Sequence, residues 1–520
     1  MRLRSLSRRA YLGALLALTV VIAGGAFSNG LFFLAQPYQL NYGEGLVAWQ
    51  AAHITDSARA YAPIDRYPFV VFQYPPLFLL AARAMGTMTR DLLMAGRAVS
   101  LLSAAILCVV IGWATFQALP RRTVRQMRLL AAVLAGALPT TLYNFHWTWT
   151  ARVDTLAILL AFFGVALFAA RPRSMPAQIL ASVLMAAALF TRQTAFAAPL
   201  ACLLVAWLMD RRIALRLLLT MSILGGGAFA WLAWWSHGQV ILHLFRYNQN
   251  PFSIVRAGFG LLMNARYVMG PLVLAAGASA AVLSGGWALV RRRRWDLLSA
   301  NLRANGYRRS IFLLSVYSML AGLSMLAFGK EGSDINYFLE WNVSLAPLAG
   351  ILLFHAAPPA GNARLRPARL AALAVPLLLF NAGFDQARTG WLRAFGTVPL
   401  ADRQRTEVFE RALAEVKGAP GPVFSEDMNL LYKSGKDIPA DPTMIQCLTA
   451  AGIWDQSPFV RLIEEQRFAL IVAYDLASRE RYSAAVADAI EHAYRQTSVI
   501  GDYKFYRPRA DVSAGAPQRP

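Results

Sequence analysis

Long apolar runs separated by short arginine-rich clusters set the pattern of this chain. The runs lie at 11–34, 97–119, 129–145, 153–170, 177–191, 195–209, 216–235, 267–290, 310–328, 338–357 and 369–384. Many approach or exceed the ~17–25 residues that carry a helix across a bilayer core, and several are shorter than ideal. The clusters are Arg2–Arg9, Arg121–Arg128, Arg171–Arg173, Arg211–Arg216, Arg291–Arg309 and Arg364–Arg369. Short basic loops stay on the cytoplasmic face, and spans alternating around these clusters leave none on the wrong side. The pattern predicts a mainly α, polytopic membrane protein with about eleven transmembrane helices and a cytoplasmic N-terminus. The first run is too long for the ~7–15-residue core of a cleaved signal peptide and reads as an anchor helix.

Two segments do not fit the alternation as spans. Tyr74 to Met88 is apolar, but crossing the bilayer there would invert every later cluster. It reads instead as an interfacial or re-entrant helix started by Pro75 and Pro76. Residues 237–266, with Arg246, Arg256 and Arg266 among aromatic side chains, read as a second outer-surface segment. No inverted internal repeat of the kind many transporters carry is visible.

After residue 384 no spanning run follows, and short elements alternate. They are a helix near 402–416, a strand at 422–425, a helix at 458–466, a strand at 468–473, a helix at 480–494 and a strand at 496–500. These predict a small extracytoplasmic α/β domain over 385–510, ending in a Pro-, Ala- and Gly-rich tail at 511–520 that reads as disordered. The membrane part, 1–384, carries its longest connection at 36–96, the first outer loop.

Composition agrees: 57% of residues are hydrophobic and 15% charged, against ~25% charged in a soluble domain. The net charge of +23 resides largely in the loop clusters, so it reports membrane topology and not nucleic-acid binding. Cys108, Cys202 and Cys447 make no disulfide framework. The histidines lack metal spacing, and no phosphate-cradling or dinucleotide-binding glycine motif occurs.

Acidic residues are scarce and placed. Only ten of 28 lie in the first 384 residues, and the predicted topology puts all but Asp210 and Asp296 on the outer face. Loop one holds Asn41-Tyr42-Gly43-Glu44-Gly45, whose glycines permit close approach, and Tyr74-Pro75-Pro76-Leu77. Arg152 and Asp154 sit at the outer end of a span, and Thr191-Arg192-Gln193-Thr194 is a polar plug between two short apolar runs. Lys330 to Glu340 concentrates Lys330, Asp334, Asn336, Tyr337 and Glu340 at the start of another span. A charge in lipid costs at least ~2.5–3.5 kcal/mol, so Asp334 and Glu340 are expected to face protein or a water-filled cavity. Plainer readings stand beside these: a solvated loop acid at Glu44, an interfacial ion pair at Arg152–Asp154, a head-group anchor at Arg192.

A transferase facing outward finds no nucleotide-sugar pool and needs a lipid-borne donor, such as a sugar on polyprenyl phosphate. The chemistry asks for a carboxylate to take a hydroxyl proton and cations to steady the departing phosphate. The order of Glu44 in loop one, Tyr74–Leu77, Arg152-Val153-Asp154 and Thr191–Thr194 resembles the GT-C superfamily of polytopic glycosyltransferases. That group includes the protein O-mannosyltransferases and the bacterial transferase that adds aminoarabinose to lipid A. Lys330–Glu340 also resembles a segment of other bacterial members. The resemblance implies transfer from a polyprenyl-phosphate sugar to a hydroxyl of an envelope glycan, lipid or protein at the outer face of a bacterial inner membrane. It places the base at Glu44, although this chain has Tyr42-Gly43-Glu44 where an Asp-Glu pair is familiar. Arg152, Arg192 and Lys330 are expected to bind the donor phosphate. Asp154, Asp334, Asn336, Tyr337, Glu340 and Tyr74 are expected to shape the site. A divalent cation (Mg or Ca) on Glu44, Asp154 or Asp334 is compatible with oxygen ligation but not demanded. The alternatives are a transporter or flippase of envelope precursors, or a structural subunit of an envelope assembly.

Overall fold

The structure is a computed structural model that describes residues 2–263, 294–356 and 383–510. The predicted span at 267–290, most of the one at 369–384, the Arg364–Arg369 cluster and the tail at 511–520 lie outside the described residues. The membrane part begins with helices α1 (Arg2–Leu34), α2 (Glu44–His53), α3 (Leu77–Thr89), α4 (Leu92–Ala118), α5 (Arg125–Ala137), α6 (Asp154–Ala170), α7 (Met175–Thr191), α8 (Ala197–Met209) and α9 (Arg211–Trp235). Helices at Trp295–Ala304, Gly306–Ser324 and Leu339–Ala356 follow.

Capping side chains set several starts. Asp91 accepts from the Leu93 amide to open α4, Asp210 from Arg212 to open α9, and Asn305 from Arg308 to open Gly306–Ser324. Each satisfies an amide donor that a helix N-terminus leaves unpaired. Asp210, one of the two acids assigned to the inner face, is thus a helix cap. The Leu339–Ala356 helix is buried along 339–351 and runs through the middle of the bundle. Its neighbours contribute Phe162, Val165, Met185, Cys202 and Tyr317 to one continuous apolar core. Helices approach closely at glycines: a Cβ on Gly136 of α5 would lie 2.5 Å from the Cys108 carbonyl oxygen of α4.

Nine of the eleven predicted spans fall within the described residues, and each overlaps a helix there. Four helices, at Gly13–Leu34, Leu92–Ala118, Arg211–Trp235 and Gly306–Gly329, are long and apolar enough to cross. A fifth counts only if Arg125–Thr141 and Tyr143–Trp149, bent by 84° at their junction, are one span. Helices α6, α7 and α8 have 17, 17 and 13 residues, short of the ~20 a straight crossing needs. These helices match the predicted runs closely, and the segments between them at 143–153 and 192–196 leave the α-helix and turn at one end of the bundle. Segment 74–88 is helical as expected: α3 follows Pro76, buries Phe78, Leu79 and Ala82, and exposes Leu80 and Met88.

The tail forms a four-stranded sheet in the order β1-β2-β4-β3: β1 (Val423–Ser425), β2 (Leu470–Ala473), β3 (Tyr494–Ile500) and β4 (Tyr503–Pro508). Strands β1 and β2 are parallel and the other pairs antiparallel. The helices expected near 402–416, 458–466 and 480–494 are present at Leu400–Gly418, Ser457–Glu464 and Ala484–Ala493. Strand β4 and the short helices Met428–Ser434 and Pro442–Ala450 were not predicted.

This domain does not stand apart from the membrane part. Tyr38, Leu46, Trp49, Tyr61 and Phe72 of loop one share one core with Phe409, Val416, Leu430 and Phe505. The Phe69 amide donates to Pro439 (2.8 Å), Asn429 Nδ2 to the Pro37 carbonyl (2.8 Å), and Arg59 pairs with Asp437 (2.6 Å). Loop one and the tail fold as one unit, which gives loop one a fixed shape over the helix ends.

Candidate active site

The site begins where α1 ends. The chain turns through residues 35–43, and Gly43 (φ 87°) starts α2 with Glu44 as its first residue. A side chain at Gly43 would be strained at that φ, and its Cβ would lie 3.3 Å from the Arg152 guanidinium. Glu44 is fully buried and faces Arg97, which is also fully buried, at 2.9 Å. Its Oε1 accepts from the Ala151 amide (2.6 Å) and Arg97 Nε (3.1 Å), and its Oε2 from Arg97 Nη2 and the Leu40 and Asn41 amides. Arg97 spends its remaining donors on the carbonyls of Phe33, Gln36 and Tyr38. Burial pushes the Glu44 carboxyl up, but the Arg97 charge and these bonds outweigh it and hold it below the usual carboxylate range. Glu44 is thus a fully enclosed carboxylate with five donors, and it fastens loop one to α4 and to the turn before α6.

The second ion pair is built differently. Asp154, the first residue of α6, holds Arg192 at 2.8 Å and also accepts from Trp147 Nε1 and Asn336 Nδ2, both at 3.0 Å. Arg192 caps the C-terminus of α7 and lies over the Tyr337 ring, 4.9 Å from its centroid. Arg152 is held by Asn41 Oδ1 (2.6 Å) and the Tyr42 carbonyl. Asn41, Trp147, Arg152, Asp154 and Asn336 border a cavity of about 320 Å³, lined also by Tyr42, Tyr74, Asp334 and Tyr337. Asp334 accepts from the Ile335 amide (2.7 Å) and, through its other oxygen, from Asn41 Nδ2 at 3.5 Å. It is exposed to the cavity.

A second cavity of about 540 Å³ adjoins the first across Tyr74, Asn336, Tyr337 and residues 331–333. It is lined by Arg192, Lys330, Gln193, Asn248 and Asn250. Its wall is pinned by Gln193 Nε2 and Asn248 Nδ2, which both donate to the Gln73 carbonyl (2.9 and 2.8 Å). The strap at 329–333 is tied to the segment at 250–253 by Ser253 N to Gly329 O and Glu331 N to Pro251 O (both 2.9 Å). At Gln193, Phe196, Leu244 and Phe245 this cavity meets an apolar groove of about 450 Å³ between α7, α8 and α9. The groove is floored by Leu189, Leu203 and Phe229, and Phe196 and Leu200 at its edge are exposed.

Eight of the ten residues proposed from the sequence thus line these cavities: Tyr74, Arg152, Asp154, Arg192, Lys330, Asp334, Asn336 and Tyr337. Glu44 and Glu340 do not. Glu340 is buried in the bundle and accepts from the Tyr317 hydroxyl at 3.0 Å. The candidate cation ligands do not converge: no group of three or more His, Cys, Asp or Glu side chains suited to a metal occurs among the described residues. Sequence reasoning missed Trp147, the amide side chains of 248–250, and Thr443, Glu480 and Arg481 of the tail domain. Gln193 lay in the polar plug already singled out; the tail residues carry no local signal.

No protein-family model and no curated protein sequence matches the chain. Solved structures do. ArnT from Cupriavidus metallidurans, bound to undecaprenyl phosphate, matches with a TM-score of 0.57 at 13% identity, covering 98% of this chain and 100% of that one. Its apo form gives 0.56 at 12%, covering 98% and 99%. The oligosaccharyltransferase AglB from Archaeoglobus fulgidus, in complex with an inhibitory peptide and a dolichol-phosphate, gives 0.52 at 9%, covering 97% of this chain and 75% of that one. The chain has the GT-C fold over nearly its whole length.

Proposed function

We propose that this chain is an integral-membrane glycosyltransferase that moves a sugar from a polyprenyl-phosphate donor to an acceptor hydroxyl at the outer face of a bacterial inner membrane. The observation that carries the reading is the junction at Gln193, Phe196, Leu244 and Phe245, where a cavity holding Arg192 and Lys330 runs into an apolar groove between helices. A ligand with a phosphate head and a long isoprenoid tail has that polarity pattern. ArnT was solved with undecaprenyl phosphate and AglB with a dolichol-phosphate, ligands of the same design.

Arg192 and Lys330 take the phosphate in this reading. Arg192 is pre-aimed by Asp154 and Tyr337, so its charge needs no reorganisation when negative charge builds on the leaving oxygen. Asp154 is occupied by Arg192, Trp147 and Asn336, whereas Asp334, beside Arg152 and Asn336 in the cavity lining, keeps an exposed carboxylate. Asp334 accepts the proton of the attacking hydroxyl. Oxygen attack on the anomeric carbon breaks its bond to the phosphate oxygen, and polyprenyl phosphate departs along the groove. Arg152, held against Gly43, keeps the turn of loop one shut over the cavity.

The test is transfer of label from polyprenyl-phosphate-linked sugars in membranes containing the full chain, wild type beside Asp334→Asn. Label reaching an acceptor with wild type and falling at least ~100-fold with the variant supports the scheme. Equal transfer by a folded Asp334→Asn removes the base assignment. If wild type moves label neither to an acceptor nor to water, the transferase reading is lost.

A further inference from the structure

The two cavities differ in charge and in what closes them. Only the larger meets the apolar groove, so a donor tethered by its tail fills that side. The smaller cavity, across Tyr74 and Tyr337, is left for the acceptor. Its roof comes from the tail domain, whose Thr443, Glu480 and Arg481 line it. We infer that this roofed chamber is the acceptor subsite and is built for an uncharged saccharide, with Glu480 and Arg481 as specificity determinants. The inference rests on the transferase reading above and adds the acceptor class to it.

The charge of the lining argues against an anionic acceptor. Four carboxylates (Asp154, Glu331, Asp334 and Glu480) face two guanidinium groups, Arg152 and Arg481. Both cations are already engaged. Arg152 is bound by Asn41 and the Tyr42 carbonyl. Arg481 lies 3.6 Å over the Tyr42 ring, bonds to Thr443 Oγ1 and pairs with Glu426 at 3.5 Å. A phosphate placed here meets carboxylates and no free planar fork of donors, whereas Arg-based anion sites present that fork to the ligand.

A neutral sugar meets the reverse. Its hydroxyls are donors, and the carboxylates of Asp334 and Glu480 are acceptors. The rings of Tyr74 and Tyr337 offer apolar surface for its C–H faces. The volume, about 320 Å³, is within the ~300–1,000 Å³ of ordinary small-ligand sites.

The roof is held firmly enough to discriminate. Buried Glu426 accepts from the Tyr474 amide and the Tyr482 hydroxyl, both at 3.0 Å, so it grips the connection 474–482 at both ends. Gln446 Nε2 donates to the Arg479 carbonyl at 3.2 Å. Glu480 itself is exposed and can be changed without opening a core.

The experiment uses the full chain in lipid nanodiscs with labelled polyprenyl-phosphate hexoses. Two acceptor fractions come from the envelope of a strain lacking this protein: neutral glycan fragments and phosphate-bearing glycolipids. Wild type is expected to label the neutral fraction. Glu480→Arg is expected to lower the neutral-to-phosphate labelling ratio about tenfold, since a reversed charge both removes an acceptor and attracts the rejected anion. Donor hydrolysis should stay within about twofold, a readout that separates the acceptor side from the donor side. Preferred labelling of the phosphate fraction by wild type, or an unchanged ratio in Glu480→Arg, overturns the inference and leaves the transferase reading standing. Absence of both transfer and donor hydrolysis overturns the two together.

Discussion

Two acid–arginine pairs, Glu44–Arg97 and Asp154–Arg192, stand close to the same helix ends and do opposite work. The first is 0% exposed on both sides and saturated by backbone donors and carbonyls from loop one. The second leaves 11% of Arg192 exposed at the rim of a cavity and props it against an aromatic ring. Sequence position alone made Glu44 the more promising carboxylate. The difference teaches that in an apolar protein an acid earns a catalytic role by the oxygen it keeps free, and its rarity in the sequence is a weaker guide.

That contrast can be broken at four points, taken here from the largest effect to the smallest. Arg97→Ala strands Glu44 without its partner, and removing one member of a buried pair costs about 3–5 kcal/mol. The expected result is a steep fall in thermal unfolding temperature and in yield of folded protein, and an unchanged melting curve would show the pair to be dispensable. Asp334→Asn should leave the melting curve in place while transfer drops ~10²–10⁴-fold, the range of a lost general base. Arg192→Gln removes a pre-aimed cation and should cut transfer ~10²–10³-fold. Asp154 keeps its Trp147 and Asn336 donors, so folding survives, and equal losses in melting temperature for Arg192→Gln and Arg97→Ala would erase the distinction drawn above.

The smallest effect is in pH. Glu44 titrates below its ordinary value in the folded chain, so its stabilisation is complete above that value and fades only as pH falls through the depressed one. Asp427, Asp441 and Glu426 are raised by burial. Their contribution is complete below the ordinary carboxylate value and is lost as pH rises through the raised ones. Hydrogen exchange, corrected for intrinsic rates, should therefore show residues 423–448 better protected at pH 5 than at pH 7.5. Residues 44–53 should lose protection only under more acidic conditions. The same slope in both segments would contradict this assignment.

The fold was readable because its signals are long and repeated. Eighteen-residue apolar stretches and arginine clusters survive a few residues of error, and the tail's alternation of helix and strand was legible for the same reason. The turns at Tyr143–Trp149 and 192–196 were less so, although their backbone builds the site. The site residues at 152–154, 192 and 330–337 were legible as charges with no reason to be in lipid. The enclosure of Glu44 was not, because it depends on Arg97 of α4 and on carbonyls at residues 33, 36 and 38. Glu480 and Arg481 were invisible since nothing local marks a residue that reaches a cavity formed by helices more than a hundred positions earlier.

The shared core of loop one and the tail has a consequence for how the chain is made. Asn429 bonds to the carbonyl of Pro37, 392 residues before it. At roughly 5–20 residues per second, a ribosome needs on the order of 20–80 s to supply the second half of that contact. Throughout that interval Leu46, Trp49 and Phe72 of loop one lack the side chains that cover them. Biogenesis is where this architecture is vulnerable: a stalled or truncated chain leaves half of that core without its cover.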